Sequence, residues 1–299
     1  MLAGCLPVIK SAPVDCASRI RPTMKQDFFA CAWGVLDLAG GPYPLTKLPE
    51  IVRKLKSLGY AGIEIPIAFV MQYGVDEFKS LLEREAMLCI TQVFSSGSPP
   101  TPGNMGLSST AGIPHPSDAS FSGTRDVKGH CAVWGGQVRE SARLGATLRS
   151  VNSHTGKDYF SDSEADELFS YCVALEKELG ITVNHETHRA RILYTPWALP
   201  RVLAAHPDLR YTADLSHFSV VTETGARDPE VCAVVAAMTP RIRHIHARVG
   251  FEEGPQVPDP RGPKWEPYLN DYIVWWTSVF RAAVDRGDAA LTITPEFGP

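Results

Sequence analysis

The sequence predicts a TIM (β/α)8 barrel, on three observations. Short apolar, β-branched runs of strand length alternate with longer runs at helical spacing. Eight such strands recur roughly every 30 residues, the spacing of eight βα units in about 250 residues. Polar residues close the apolar runs at their C-terminal ends again and again. Alternating β and α implies parallel pairing with right-handed crossovers. An open doubly wound sheet is the competing arrangement. No helix follows the eighth strand, so the expected barrel lacks its eighth helix.

Residues 1–26 read as an N-terminal extension. Four basic residues (Lys10, Arg19, Arg21, Lys25) against Asp15 suit either a disordered tail or an organelle transit peptide. The barrel is expected over 27–299. Phe28–Leu36 is the first strand pattern, with Trp33 near its end. Leu45–Leu58 has apolar residues at helical spacing and stops at Gly59. Ala61–Ile67 is the second strand and carries Glu64, an unusual place for a charge. Val75–Ala86 is helical, and Met87–Phe94 is the third strand. A Gly/Pro/Ser-rich stretch from Ser95 to about Arg125 reads as a long functional or mobile loop. His130–Ala146 is helical and Thr147–His154 is the fourth strand. Asp162–Leu179 is an amphipathic helix capped by Asp162 or Ser163. Ile181–His188 is the fifth strand. Thr195–Ala205 is helical, with Pro196 suited to its first position. Leu209–His217 is the sixth strand, and the next helix, Asp228–Met238, has Asp228 as its cap. Ile242–Arg248, a helix over Tyr272–Arg286 and Ala289–Glu296 complete the pattern.

Composition narrows the function classes. The 299 residues are 44% hydrophobic and 21% charged, an ordinary globular balance. A net charge of −4 gives no footprint for nucleic acid. No apolar run reaches membrane-spanning length. The seven cysteines are scattered without a C-x-x-C pair. Cys89, Cys131, Cys172 and Cys232 fall inside apolar patterns, which suggests reduced thiols and a cytoplasmic setting.

In a barrel the strand ends converge on one face, where active sites sit. Glu64, His154, Glu186, His188, Asp214, His217, His246, Arg248 and Glu296 all fall there. Any one of them alone is read most simply as an ordinary salt-bridge partner. Together, Glu186, Asp214, His246 and Glu296 put three carboxylates beside one imidazole. Carboxylates so placed repel and raise one another's pKa values unless a cation neutralises them. An oxygen-rich set with one imidazole suits one divalent metal ion, Mn²⁺ first, with Mg²⁺, Co²⁺ or Zn²⁺ also compatible.

Asn184-His-Glu-Thr-His188, Asp214-Leu-Ser-His217, Ile245-His-Ala-Arg248 and Pro295-Glu296 resemble the xylose isomerase-like TIM-barrel superfamily of sugar isomerases and epimerases, whose distant relatives include endonuclease IV. The phrase from Glu186 to Pro196 resembles a branch described as sugar phosphate isomerase/epimerase. The resemblance covers about Phe28 to Pro299. It implies that Glu186, Asp214, His246 and Glu296 hold the metal and that Glu186 and Glu296 exchange a proton with a ketose carbon. It also implies that His217 binds substrate; Arg248 matches a substrate-binding arginine less closely, lying only two residues past His246. His188, His154, Trp33 and Glu64 complete the substrate-facing candidates. For His154 and Trp33 a structural role is the near-equal alternative, and for Glu64 it is the leading one.

The expected function is a metal-dependent isomerase or epimerase of carbohydrate metabolism acting on a small sugar or polyol through an enediolate. A lyase or dehydratase shares the first step. A zinc phosphodiesterase of the endonuclease IV kind lacks its histidine at strand three, where the sequence reads Gln92-Val-Phe-Ser. A barrel that only binds a ligand is the non-catalytic alternative. The acidic loop at Glu252 and Glu253 favours an unphosphorylated substrate. Family members often pair into homo-oligomers, and such pairing would cover the open side of the barrel.

Overall fold

The computed structural model describes residues 24–37, 45–95 and 126–297. Eight strands form: β1 (Lys25–Cys31), β2 (Gly62–Pro66), β3 (Leu88–Phe94), β4 (Leu148–His154), β5 (Val183–Glu186), β6 (Arg210–Ala213), β7 (Ile242–His246) and β8 (Ala290–Thr294). Each pairs in parallel with its neighbour in sequence, and β8 pairs in parallel with β1, Lys25 opposite Ala290 and Phe28 opposite Ile293. That last pairing closes the barrel and excludes the open sheet.

The helices are α1 (Ala32–Asp37), α2 (Leu48–Ser57), α3 (Ile67–Tyr73), α4 (Val75–Glu85), α5 (Val127–Ala142), α6 (Asp162–Leu179), α7 (Leu199–Ala205), α8 (Ser216–Thr222), α9 (Pro229–Met238) and α10 (Glu266–Asp285). In α6, Ala165, Leu168, Phe169, Cys172 and Leu175 are buried at the spacing of one helix face. Its cap is Ser161 rather than the expected Asp162 or Ser163. Ser161 accepts from the Glu164 backbone and Glu164 reaches back, a complete capping box. Gly180 ends the helix at φ 64°, a left-handed turn that only glycine adopts without strain.

Several boundaries differ from expectation for physical reasons. β1 begins at Lys25, inside the presumed extension, because backbone pairing with β8 does not depend on an apolar side chain. It ends at Cys31 rather than Leu36, so Trp33 lies in α1 instead of ending a strand. The Trp33 side chain lies outside the described residues, as do residues 1–23 and nearly all of the long loop after Ser95. α3 has no counterpart in the sequence reading. Ile67, Ala68, Phe69 and Val70 are all buried, so the helix shows no polar face to reveal its period. β6 stops at Ala213, and His217 sits on α8.

Alternation along the strands divides the core in two. Ile63, Ile65, Val93, Val151, Val183, Ile245 and Leu291 are fully or almost fully buried in one apolar cluster. Such residues contribute about 1.5–3 kcal/mol each on burial. The alternate positions are polar and meet inside the barrel: Glu64 on β2 touches His244 and His246 on β7, across the lumen. Among the described cysteines Cys31, Cys89 and Cys172 are buried and Cys131 and Cys232 half-buried. No helix among the described residues is long and apolar enough to cross a membrane.

Candidate metal centre and active site

The floor of the site is Glu64, which has no exposed surface. Gln92 Nε2 donates to its Oε1 at 3.1 Å, and Asn152 Nδ2 does the same at 3.1 Å. His246 Nε2 lies 2.9 Å from Oε1, His244 Nε2 lies 3.1 Å from Oε2, and Thr294 Oγ1 donates to Oε2. Burial pushes the Glu64 pKa up, but the His246 and His244 imidazoles outweigh it and hold it well below the usual carboxylate range. Glu64 is a hub beneath the four-residue cluster, with both oxygens hydrogen-bonded.

The hub sets the tautomer of His246. A carboxylate only accepts, so a hydrogen sits on Nε2 and the ring is turned with Nδ1 toward the cluster. There Nδ1 meets Glu296 Oε2 at 2.8 Å and Glu186 Oε1 at 3.5 Å. Glu186 ends β5 and is buried. Its Oε2 accepts from Asn152 Nδ2 at 2.7 Å and lies 2.9 Å from His154 Nε2. Asp214 follows β6 and is fully buried. Its Oδ1 accepts from the Ser216 backbone N–H at 3.0 Å and from the Ser216 hydroxyl. Its Oδ2 accepts no hydrogen bond. Glu296 follows β8 and is the most open of the four, its side chain 12% exposed.

One ligand atom from each of Glu186, Asp214, His246 and Glu296 lies within 4.8 Å of the others. Among these atoms Asp214 Oδ2, His246 Nδ1 and Glu296 Oε2 are buried without a hydrogen-bond partner. The His246–Glu296 approach is close but not aligned as a hydrogen bond. Burial, followed by the Glu296 charge, pushes the Asp214 pKa up to about 8. Burial alone would lower the His246 pKa, but Glu64, Glu296 and Glu186 outweigh it and raise it well above the ordinary value. Crowded carboxylates that gather protons where lone pairs converge are what a cation site shows without its cation. The donor set fits a divalent ion.

The remaining candidates surround this cluster. His217 Nε2 lies 3.4 Å from Asp214 Oδ2, and Arg248 Nη1 lies 3.9 Å from the same oxygen and 3.8 Å from Glu296 Oε1. His188 lies beyond β5, its ring 4.0 Å from His217 and 4.7 Å from His154. Burial is the largest influence on His188 and His217 and lowers both pKa values well below normal. The sequence reading missed Asn152, which ties Glu64 to Glu186, and His244. Both could have been found by stepping back two residues, from His154 and from His246, because one strand face repeats every second residue. It also gave no role to Lys157 or to the buried Arg191. Burial and then Arg191 push Lys157 down to about 8; burial pushes Arg191 down to about 10.

No family model matches the chain, and no curated protein matches it. Solved structures do. A xylose isomerase-like TIM barrel protein from Mycobacterium smegmatis, in complex with magnesium, matches at TM-score 0.56 and 14% identity over 91% of this chain and 90% of that one. The two share a TIM-barrel fold. D-allulose 3-epimerase from Methylomonas sp., in complex with D-allulose, matches at TM-score 0.54 and 15% identity over 91% of this chain and 83% of that one. A probable 3-DHS dehydratase from Bacillus anthracis matches at TM-score 0.52 and 14% identity over 91% and 92%.

Proposed function

We propose that the chain is a divalent-metal-dependent isomerase or epimerase of a sugar or polyol that abstracts a proton next to a carbonyl. The observation that carries this reading is the cluster of Glu186, Asp214, His246 and Glu296, with ligand atoms within 4.8 Å of one another. A bound ion would polarise the substrate's carbonyl and the hydroxyl beside it, easing loss of the α-proton. Glu186 and Glu296 stand on β5 and after β8, on separate sides of the cluster, and serve as base and acid. Arg248 faces Asp214 and Glu296, where its guanidinium orients a substrate oxygen. His188 and His217 are neutral and can bond sugar hydroxyls as donor or acceptor. The neighbour solved with magnesium and the one solved with D-allulose support the reading.

The dehydratase neighbour favours a second reading, a lyase or dehydratase on a keto-sugar. It begins with the same abstraction and then expels a hydroxyl. The test is metal analysis of the purified protein beside its Glu186→Gln variant, followed by NMR of a ketose and keto-acid panel in D₂O. Bound divalent metal and Glu186-dependent deuterium uptake next to a carbonyl are expected. The product then separates epimerase from lyase. Neither metal nor exchange would overturn both readings and leave a binding barrel.

A further inference from the structure

The lower end of the barrel, opposite the four-residue cluster, is lined unlike an ordinary barrel core. Residues two apart on a strand share a face, so its inward positions can be counted back: Asn184 from Glu186, Ser150 from Asn152 and Thr292 from Thr294. These are small or polar where a barrel interior ordinarily holds bulky branched side chains. With Thr182 and Ala290 they border a cavity of about 550 Å³, within the range that takes a small organic ligand. We propose that this cavity binds a small hydroxylated oxyanion, its phosphate or carboxylate at Arg149, Arg210 and Arg243 and a hydroxyl at Asn184 and Ser150. The proposal does not rest on the function proposed above.

The arginines supply the charge. Arg149 and Arg243 occupy the second positions of β4 and β7, Arg210 opens β6, and all three line the cavity. Asp27 and Asp288 border the same space but are already matched. Asp27 Oδ1 is 2.8 Å from Lys25 Nζ, and Asp288 Oδ2 accepts from Arg286 Nε at 3.1 Å and Nη2 at 2.6 Å. Arg243 donates to the backbone carbonyls of Pro240 and Ile242, at 2.9 and 3.1 Å, and no carboxylate pairs with it or with Arg149 among the described residues. Burial, followed by the Arg286 charge, lowers the Arg243 pKa, and Arg210 adds to the fall against the opposing Asp288. Arg210 is anchored by Glu176, which also accepts from the Val183 N–H at 3.1 Å. A guanidinium fixed in this way presents its remaining N–H groups as a ready fork for an oxyanion.

The wall of the cavity supplies the second half. Asn184 Oδ1 and Ser150 Oγ have no hydrogen-bond partner, although their residues are only 2% and 4% exposed. A buried polar atom left unpaired is costly, and a ligand hydroxyl meets that need. Water would meet it too, but water does not answer the arginine charge. The site is separate from the catalytic cluster. Thr292 Oγ1 is 2.8 Å from His244 Nδ1, and His244 Nε2 is 3.1 Å from Glu64, so the hub stands between the two.

The test is titration calorimetry on the chelator-treated full chain at about 0.15 M salt. The probes are inorganic phosphate, glycerol 3-phosphate and glycerate. Saturable binding of one glycerol 3-phosphate or glycerate per chain is expected, and the tighter of the two names the anionic group. Arg149→Gln and Arg243→Gln should each weaken it on the order of tenfold or more, the size of a lost charge-assisted hydrogen bond. Asn184→Leu should weaken the hydroxylated probes and leave inorganic phosphate unchanged. Arg248→Gln, at the other end of the barrel, should change neither. No saturable binding of any probe would overturn the proposal. So would affinities equal to wild type in both Arg149→Gln and Arg243→Gln, or binding that only Arg248→Gln removes. Thermal unfolding of each variant confirms that a loss of binding is not a loss of fold. No metal and no turnover enter the measurement, so its failure leaves the proposed function standing.

Discussion

Glu64 and the trio Glu186, Asp214 and Glu296 are carboxylates in one barrel lumen, built in opposite ways. Glu64 is touched by five side chains, from Gln92, Asn152, His244, His246 and Thr294, and both its oxygens are occupied. In the trio, Asp214 Oδ2 and Glu296 Oε2 are buried and accept no aligned hydrogen bond. The pKa directions follow, with Glu64 held well below the usual range and Asp214 pushed up to about 8. Glu64, His244 and His246 also stand close enough to hold an ion. Their lone pairs and hydrogens are already matched to one another, so no ion is needed. The difference separates a carboxylate whose bonding the chain completes from carboxylates whose bonding it leaves to a ligand.

The largest effect that sharpens this contrast is catalytic. Glu186→Gln and Glu296→Gln should each lower deuterium exchange on the order of 10²–10⁴-fold, the size of a lost general acid or base. Both variants should stay folded, because each relieves crowding among carboxylates. Exchange that persists in Glu296→Gln at the wild-type rate would remove it from the reaction. The next effect concerns the hub. Glu64→Gln keeps the shape but offers His246 a different partner, which releases the tautomer that aims Nδ1 at the cluster. Metal affinity should fall roughly 10–100-fold, as for other supporting groups around a ligand. Unchanged affinity by titration calorimetry would break the comparison, since the hub would then be packing and nothing more.

Much of this arrangement was legible in the sequence, and the exceptions have physical causes. The eight strands and the four clustered residues followed from strand alternation and from polar residues closing apolar runs. For Glu64 a structural role already led, but sequence shows only that a charge lies in a strand, not how deep in the lumen it sits or that five side chains meet it. Asn152 and His244 escaped notice because amides and interior histidines on a strand look like any half-buried polar position. α3 and α8 were invisible because helices of seven residues fit inside a run already read as strand or loop. Backbone pairing, not side-chain pattern, carried β1 back to Lys25.

The smallest expected effect is a slope with pH, and its sign distinguishes the two carboxylate neighbourhoods. The Asp214 carboxyl titrates near the ordinary 3.8 when unfolded and at about 8 when folded without metal. A raised folded pKa means that the native state binds the extra proton between those values. The stability it contributes is whole at low pH and is lost as pH rises toward about 8, by about 1.4 kcal/mol per unit while the proton is leaving. Glu64 works the other way. Its lowered pKa contributes stability above about 4.5 that disappears only in acid, as pH falls through the folded value. Below about pH 6.5 the buried neutral His188 and His217 add an opposite slope, so the window that isolates Asp214 lies above it: thermal melts of metal-stripped protein from pH 6.5 to 8 should show stability falling as pH rises. Asp214→Asn should flatten the fall, and saturating divalent metal should abolish it, because the ion takes the place of the proton. A melt series that rises with pH in the metal-stripped wild type would mean that Asp214 is already ionised and paired within the chain, which would dissolve the distinction between the two neighbourhoods.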